Sequence, residues 1–169
     1  MPSRLLKLSE TDLARQVFRD RVPYDRVHLA SYYLPGNQGV AVTLASVSSL
    51  IPVRSMRSYT IYFGPDVFRE GADQPGVRNT FIHEMTHVWQ GHHSLFAWEY
   101  MVDSMISQGH AVITKGDRNE AYNYELGKPW DEYNVEQQAV IVEHWFRDGM
   151  KTDEGRYTYI ENNIRAGRN

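Results

Sequence analysis

"FIHEMTHVWQ", Phe81 to Gln90, sets two histidines four residues apart with a glutamate directly after the first. Residues four apart on an α-helix stack on the same side. His83 and His87 would therefore project their imidazoles together, as two ligands of a tetrahedral ion require. Glu84 then lies about 100° around the helix, near enough to hold a water without using a ligand position. Zinc in such a site lowers the pKa of the water and polarises a carbonyl. The glutamate takes the water's proton as attack begins and returns it to the leaving amine. Phe81, Met85 and Val88 form a separate apolar face that can anchor the helix. The bland alternative is a pair of core or surface histidines on an ordinary amphipathic helix.

Two histidines do not close a catalytic zinc site. His93 stands ten residues after His83, where a long metzincin pattern places its third histidine. The glycine of that pattern is displaced here: Gln90 occupies its position, and Gly91 is expected to end the helix. Glu136, in "WDEYNVEQQA", is the better candidate. It is flanked by Val135 and Ala139 on a second helix whose apolar stripe continues through Val142 and Phe146. An unpaired carboxylate beside such a stripe would be costly, and a metal would explain it. Two histidines, one carboxylate and a water make a common catalytic zinc set. By sequence alone Glu132 and Glu143 compete with Glu136 for the third position.

Composition narrows the function classes. The 169 residues suffice for one domain with a real core, and 41% apolar residues argue for a folded chain. Eighteen basic against 21 acidic residues give a net charge of −3, without the concentrated positive field that nucleic-acid binding uses. There are no cysteines, so any metal site must use histidine, carboxylate and water. No run approaches the length of a transmembrane helix. The start, "MPSRLLKLSETDLARQVF", lacks the pattern of a cleaved secretory signal. Synthesis in the cytoplasm, with export by a signal-independent route if any, is the expectation.

Along the chain the hydrophobic period changes once. "SETDLARQVF" predicts a helix capped by Ser9 and stopped by Pro23. Val27 and Leu29, then Val40, Val42 and Leu44, then Tyr59, Ile61 and Phe63 alternate as strands do, with "PGNQG" as a turn. These predict a small, mainly antiparallel sheet. Later segments are helical: "DQPGVRNTFIHEMTHVWQG" capped by Asp73, "SLFAWEYMVDSMISQG", "DEYNVEQQAVIVEHWFRDG" and "YTYIENNIRAG", with "EAYNYELG" a short helix or turn. Nothing marks a second domain. The predicted architecture is α+β, a single domain over residues 1–169 with its sheet early and its helices late.

"FIHEMTHVWQ", "YNYELG" and "YNVEQQAVIVEHW" together resemble the zincin-type metallopeptidase domains of bacterial toxins. Such domains occur as C-terminal extensions of type VI secretion spike proteins, on Rhs-like polymorphic toxins and as freestanding effectors. "DRVHLASYYLP" and "YTIYFGPDVF" resemble early strands of that family, so the likeness spans most of Asp25 to Trp145. It implies a zinc endopeptidase of gluzincin type with His83, His87 and Glu136 as ligands and Glu84 as general base. It also implies a protein or peptide substrate, a secretion-system carrier, action in a target bacterium's periplasm and a cognate immunity protein. Thermolysin-like members carry an aspartate four residues beyond the ligand glutamate to orient a zinc histidine. Val140 stands there, so that support must come from elsewhere.

Within the block the resemblance covers, Tyr124 is the tyrosine expected to stabilise the oxyanion, ahead of Tyr122 and Tyr133. Trp89, Trp98, Trp130 and Trp145 are assigned to packing, and "RSMR", Arg54 to Arg57, to a solvated face. Two other functions share these residues. A zinc amidase acting on cell-wall cross-links would use the same catalytic groups. A binding protein stapled by structural zinc would fill the fourth ligand position with protein and have no use for Glu84.

Overall fold

The computed structural model describes residues 2–35, 39–45, 57–94 and 122–169. Strand β1 (Ser3–Leu5) and helix α1 (Leu8–Phe18) open the chain. Ser9 is not the cap of α1. Lys7 holds that place, and Glu10 turns inward instead, its carboxylate accepting from the Lys7 N–H at 2.7 Å, from the Ala72 N–H at 2.8 Å and from both terminal nitrogens of Arg4. This fully buried acid ties β1, α1 and the turn before the histidine helix into one unit.

Three of the alternating segments form strands: β2 (Val27–Ala30), β3 (Val42–Ala45) and β4 (Tyr59–Tyr62). The sheet order is β1-β2-β4-β3. The sheet is mainly antiparallel, as the alternation predicts, through β1–β2 and β3–β4, but its central pair, β2 and β4, runs parallel. The cause is that β3 lies outside β4, at the edge, instead of pairing with β2 as a simple meander would. Val27, Leu29, Tyr59, Ile61 and Phe63 are buried as their alternation predicts, whereas Val40 is exposed. Gly64, at a φ of 82° that suits glycine, turns the chain into α2 (Pro65–Glu70), whose first residue is proline.

The histidine helix α3 runs Arg78–His93. Its N-cap is Val77 rather than Asp73, and it does not stop at Gly91. Arg57 explains the second difference. Its guanidinium is 1% exposed and its Nη1 donates to the Gly91 and Ser94 carbonyls, both at 2.8 Å, neutralising the end of a longer helix. A glycine inside a helix costs about 1 kcal/mol relative to alanine, which two charge-assisted bonds at that terminus outweigh. Arg57 is therefore not on a solvated face.

Helix α4 (Val135–Arg147) begins with a capping box: Asn134 Oδ1 accepts from the Gln137 N–H at 2.8 Å and Gln137 Oε1 from the Asn134 N–H at 3.2 Å. Helix α5 (Gly155–Tyr159) continues into a π-turn, Ile160–Ile164. Helix α3 lies at the centre, packed against α4, β3 and α1, and ten of its residues are buried, from Phe81 to Gly91. Trp89, Trp130 and Trp145 are buried core residues. Trp98, Arg54 and the segment "SLFAWEYMVDSMISQG" beyond Ser94 lie outside the described residues. No described helix is long and apolar enough to cross a membrane.

Candidate metal centre

Helices α3 and α4 pack antiparallel, with early α3 meeting late α4 (His83 with Glu143) and late α3 meeting early α4 (Gln90 with Val135). His83, His87 and Gln90 follow an i, i+4, i+7 spacing on α3, while Glu136 and Glu143 are two turns apart on α4. The packing therefore presses two imidazoles and the Gln90 amide against the face of α4 that carries the two carboxylates.

One potential ligand atom from each of His83, His87 and Glu136 lies within 4.8 Å of the others. Glu136 Oε2 is 3.3 Å from His83 Nε2 and 3.5 Å from His87 Nε2, and the two imidazole rings are nearly perpendicular with centroids 4.9 Å apart. Glu136 Oε1 is buried with no hydrogen-bond partner among the described residues. A buried acceptor left in that condition costs about 1–3 kcal/mol, more if charged. A cation between the three side chains satisfies it. Two imidazoles and one carboxylate without thiolate are a donor set that zinc accepts. This is a zincin-like cluster: a His-Glu-x-x-His pair on one helix and a glutamate from another.

The competing ligands separate cleanly. Glu132 is exposed on a 3₁₀ turn, Trp130–Glu132. Because α3 continues through Gly91, His93 stays on the helix; it stacks on Trp89 with centroids 4.7 Å apart and bonds the Trp89 carbonyl through Nδ1 at 2.9 Å. Glu143 meets the other nitrogen of His83, Nδ1, at 3.0 Å. It supplies the orienting carboxylate that Val140 cannot, seven residues beyond Glu136 instead of four.

In the metal-free protein burial opposes charge on His83, but hydrogen bonds to Glu136 and Glu143 outweigh it and push its pKa up to about 10. His87 is also raised, against the effect of its own burial, by the charge of Glu136. Burial pulls Glu136 upward, but His87 and His83 hold it well below the usual carboxylate range. Each partner favours the charged form of the other. Zinc entering the site must displace those protons.

Glu84 is buried beside the cluster, 5% exposed. Thr43, on edge strand β3, donates its hydroxyl to Glu84 Oε2 at 2.6 Å. That contact fixes one carboxylate oxygen of Glu84. Reading the sequence for buried alternation picks out Val42 and Leu44 but passes over Thr43, which points to the opposite face.

Tyr124 is partly buried, its hydroxyl 3.0 Å from His144 Nδ1. It lines an open depression of about 460 Å³ with Tyr122, Leu126, His144 and Arg156. The Tyr122 ring centroid lies 6.5 Å from that of His83. Tyr133 is buried away from it, donating to the Glu125 carbonyl at 2.7 Å.

No family model matches the chain. It is 30% identical over 97% of its length to the type VI secretion system spike protein VgrG2b of Pseudomonas aeruginosa, and spans 15% of that protein. Its structure is similar to the effector domain of Pseudomonas aeruginosa VgrG2b, with a TM-score of 0.57 at 29% identity over 92% of this chain and 81% of that domain. Sequence and structure thus agree on the resemblance.

Proposed function

From the likeness to the VgrG2b effector domain and the geometry of the cluster, we propose that residues 1–169 form one zinc-dependent endopeptidase domain acting as an antibacterial effector. The observation that carries the reading is the convergence of His83, His87 and Glu136 with Glu84 held beside them by Thr43. His83 Nε2, His87 Nε2 and a Glu136 oxygen would hold the ion. When bound, zinc makes a water more acidic and polarises the scissile carbonyl.

The remaining steps belong to the chain's own groups. Glu84 is not a ligand. Its carboxylate takes the proton of the attacking water and delivers it to the leaving nitrogen. Glu143, bonded to Nδ1 of His83, keeps that imidazole aimed at the ion's place. Tyr124 serves as hydrogen-bond donor to the developing oxyanion, with His144 holding its hydroxyl; the aromatic depression it lines is the place for a substrate side chain.

The similarity to a spike protein supports delivery by a secretion-system carrier and a protein or peptide target; action in the periplasm of another bacterium and an immunity protein that blocks the site complete the proposal. Incubating the zinc-loaded protein with an unfolded polypeptide and with cross-linked cell-wall fragments, before and after chelation, tests the reaction. Chelator-sensitive cuts at peptide bonds of the polypeptide support an endopeptidase. Cleavage of the cell-wall fragments alone would make it an amidase, and cleavage of neither would remove the enzymatic reading.

A further inference from the structure

The two proposed zinc histidines are supported differently, and the second depends on a residue outside the metal motif. His83 Nδ1 meets the carboxylate of Glu143; His87 Nδ1 meets the side-chain amide of Gln90, with Oε1 at 2.9 Å. We infer that Gln90 is a positioning residue that commits His87 to the tautomer with its proton on Nδ1 and its Nε2 lone pair free for zinc. The inference rests on the reading of His83, His87 and Glu136 as zinc ligands and adds how one of them is set.

The chain of bonds leaves no second arrangement. Gln90 Nε2 donates to the Val135 carbonyl at 2.9 Å and to Gln138 Oε1 at 2.8 Å. Gln138 Nε2 donates to the Trp130 carbonyl at 3.0 Å. Main-chain carbonyls only accept, so both amides must present their NH₂ groups to them. Turning the Gln90 amide over would set its oxygen against the Val135 carbonyl and against Gln138 Oε1 at once. With the amide fixed, its Oε1 can only accept, and His87 Nδ1 must carry the proton. Gln90 is fully buried and Gln138 5% exposed, so water does not compete for these bonds. An amide also orients without adding charge. Glu84, Glu136 and Glu143 already set three carboxylates against the two positive charges of a zinc ion, and a fourth at position 90 would make the centre more negative still, blunting its pull on a water proton.

The test uses the full chain and needs no substrate. Zinc affinity is measured by competition with a chromophoric chelator for wild type, Gln90→Leu, Gln90→Glu and His87→Ala, with melting curves of each metal-free protein. Gln90→Leu should weaken zinc binding by about 10- to 100-fold. Gln90→Glu, which restores an acceptor for Nδ1–H, should regain most of that loss even if its metal-free form melts lower. If Gln90 only packs, affinity will instead follow the melting temperatures. Should Gln90→Leu fail to fold, wild type decides: in histidine-¹⁵N-labelled protein loaded with ¹¹³Cd, the one-bond coupling should appear at His87 Nε2 and the ring proton at Nδ1. Coupling at Nδ1, or Gln90→Leu binding zinc within threefold of wild type, would overturn the inference. Failure of the underlying zinc reading looks different, because wild type then takes up no zinc or His87→Ala takes up as much as wild type.

Discussion

Glu143 Oε2 lies 3.0 Å from His83 Nδ1, two turns along α4 from Glu136, so one helix face supplies both a proposed ligand and the carboxylate that orients another. Removing the orienting charge should therefore be milder than removing the ligand. Glu143→Gln is expected to lower zinc affinity by about 10- to 100-fold, while Glu136→Gln should leave protein purified without added metal largely free of zinc. Elemental analysis and chelator competition on the two variants check the ordering. Equal losses would put Glu143 in the coordination sphere.

His93 should be silent toward the metal. Its ring stacks on Trp89 and bonds back to the helix, away from Glu136. His93→Ala is expected to keep full zinc content and to lower stability by about 1 kcal/mol through lost stacking and one hydrogen bond. Zinc analysis together with a denaturant melt reads both quantities.

The pKa of His83 sets a pH dependence unlike that of a free imidazole. Its metal-free value of about 10 exceeds the ordinary 6.5, so at neutral pH zinc displaces a proton from it. Affinity should keep rising with pH towards 10 instead of levelling off above 6.5. Calorimetry in buffers of different ionisation enthalpy should show proton release at pH 7. The linked effect on stability has a definite sign. A raised histidine pKa favours the metal-free fold fully below about 6.5, and that contribution disappears as pH climbs through about 10. Chelated protein should lose melting temperature across that interval more steeply than zinc-loaded protein.

Thr43 offers a test of how Glu84 is held. The 2.6 Å hydroxyl–carboxylate bond is charge-assisted, a class worth about 1.5–3 kcal/mol. If it aligns the base in the transition state, Thr43→Val should lower kcat by about 10- to 100-fold with KM little changed. Thr43→Ser should recover most of the rate. Equal activity in all three proteins would make the hydroxyl incidental.

The site was legible in the sequence to the extent that it is local. His83, Glu84 and His87 lie within one helical turn, so periodicity alone places them. Glu136 could be argued from its apolar flanks because an unpaired acid there needs a reason. Glu143, Gln90 and Thr43 were not visible in these roles, since each depends on how α3 meets α4 or β3, and spacing along one chain does not fix that register. The helix end was misjudged for the same reason: Gly91 is a stop signal by itself, and only the distant guanidinium of Arg57 cancels it. Strand β1 is too short for its alternation to register, and the parallel β2–β4 pair depends on the edge placement of β3.

The most direct measurement compares wild type with Glu84→Ala for zinc content and for growth inhibition when each is directed to the periplasm of a susceptible bacterium. Loss of the base should leave one zinc per chain and a near-normal melt. It should also lower hydrolysis by about 10²- to 10⁴-fold and abolish toxicity. Glu84→Ala with equal zinc and equal toxicity would contradict the hydrolase reading and leave the metal as a structural staple.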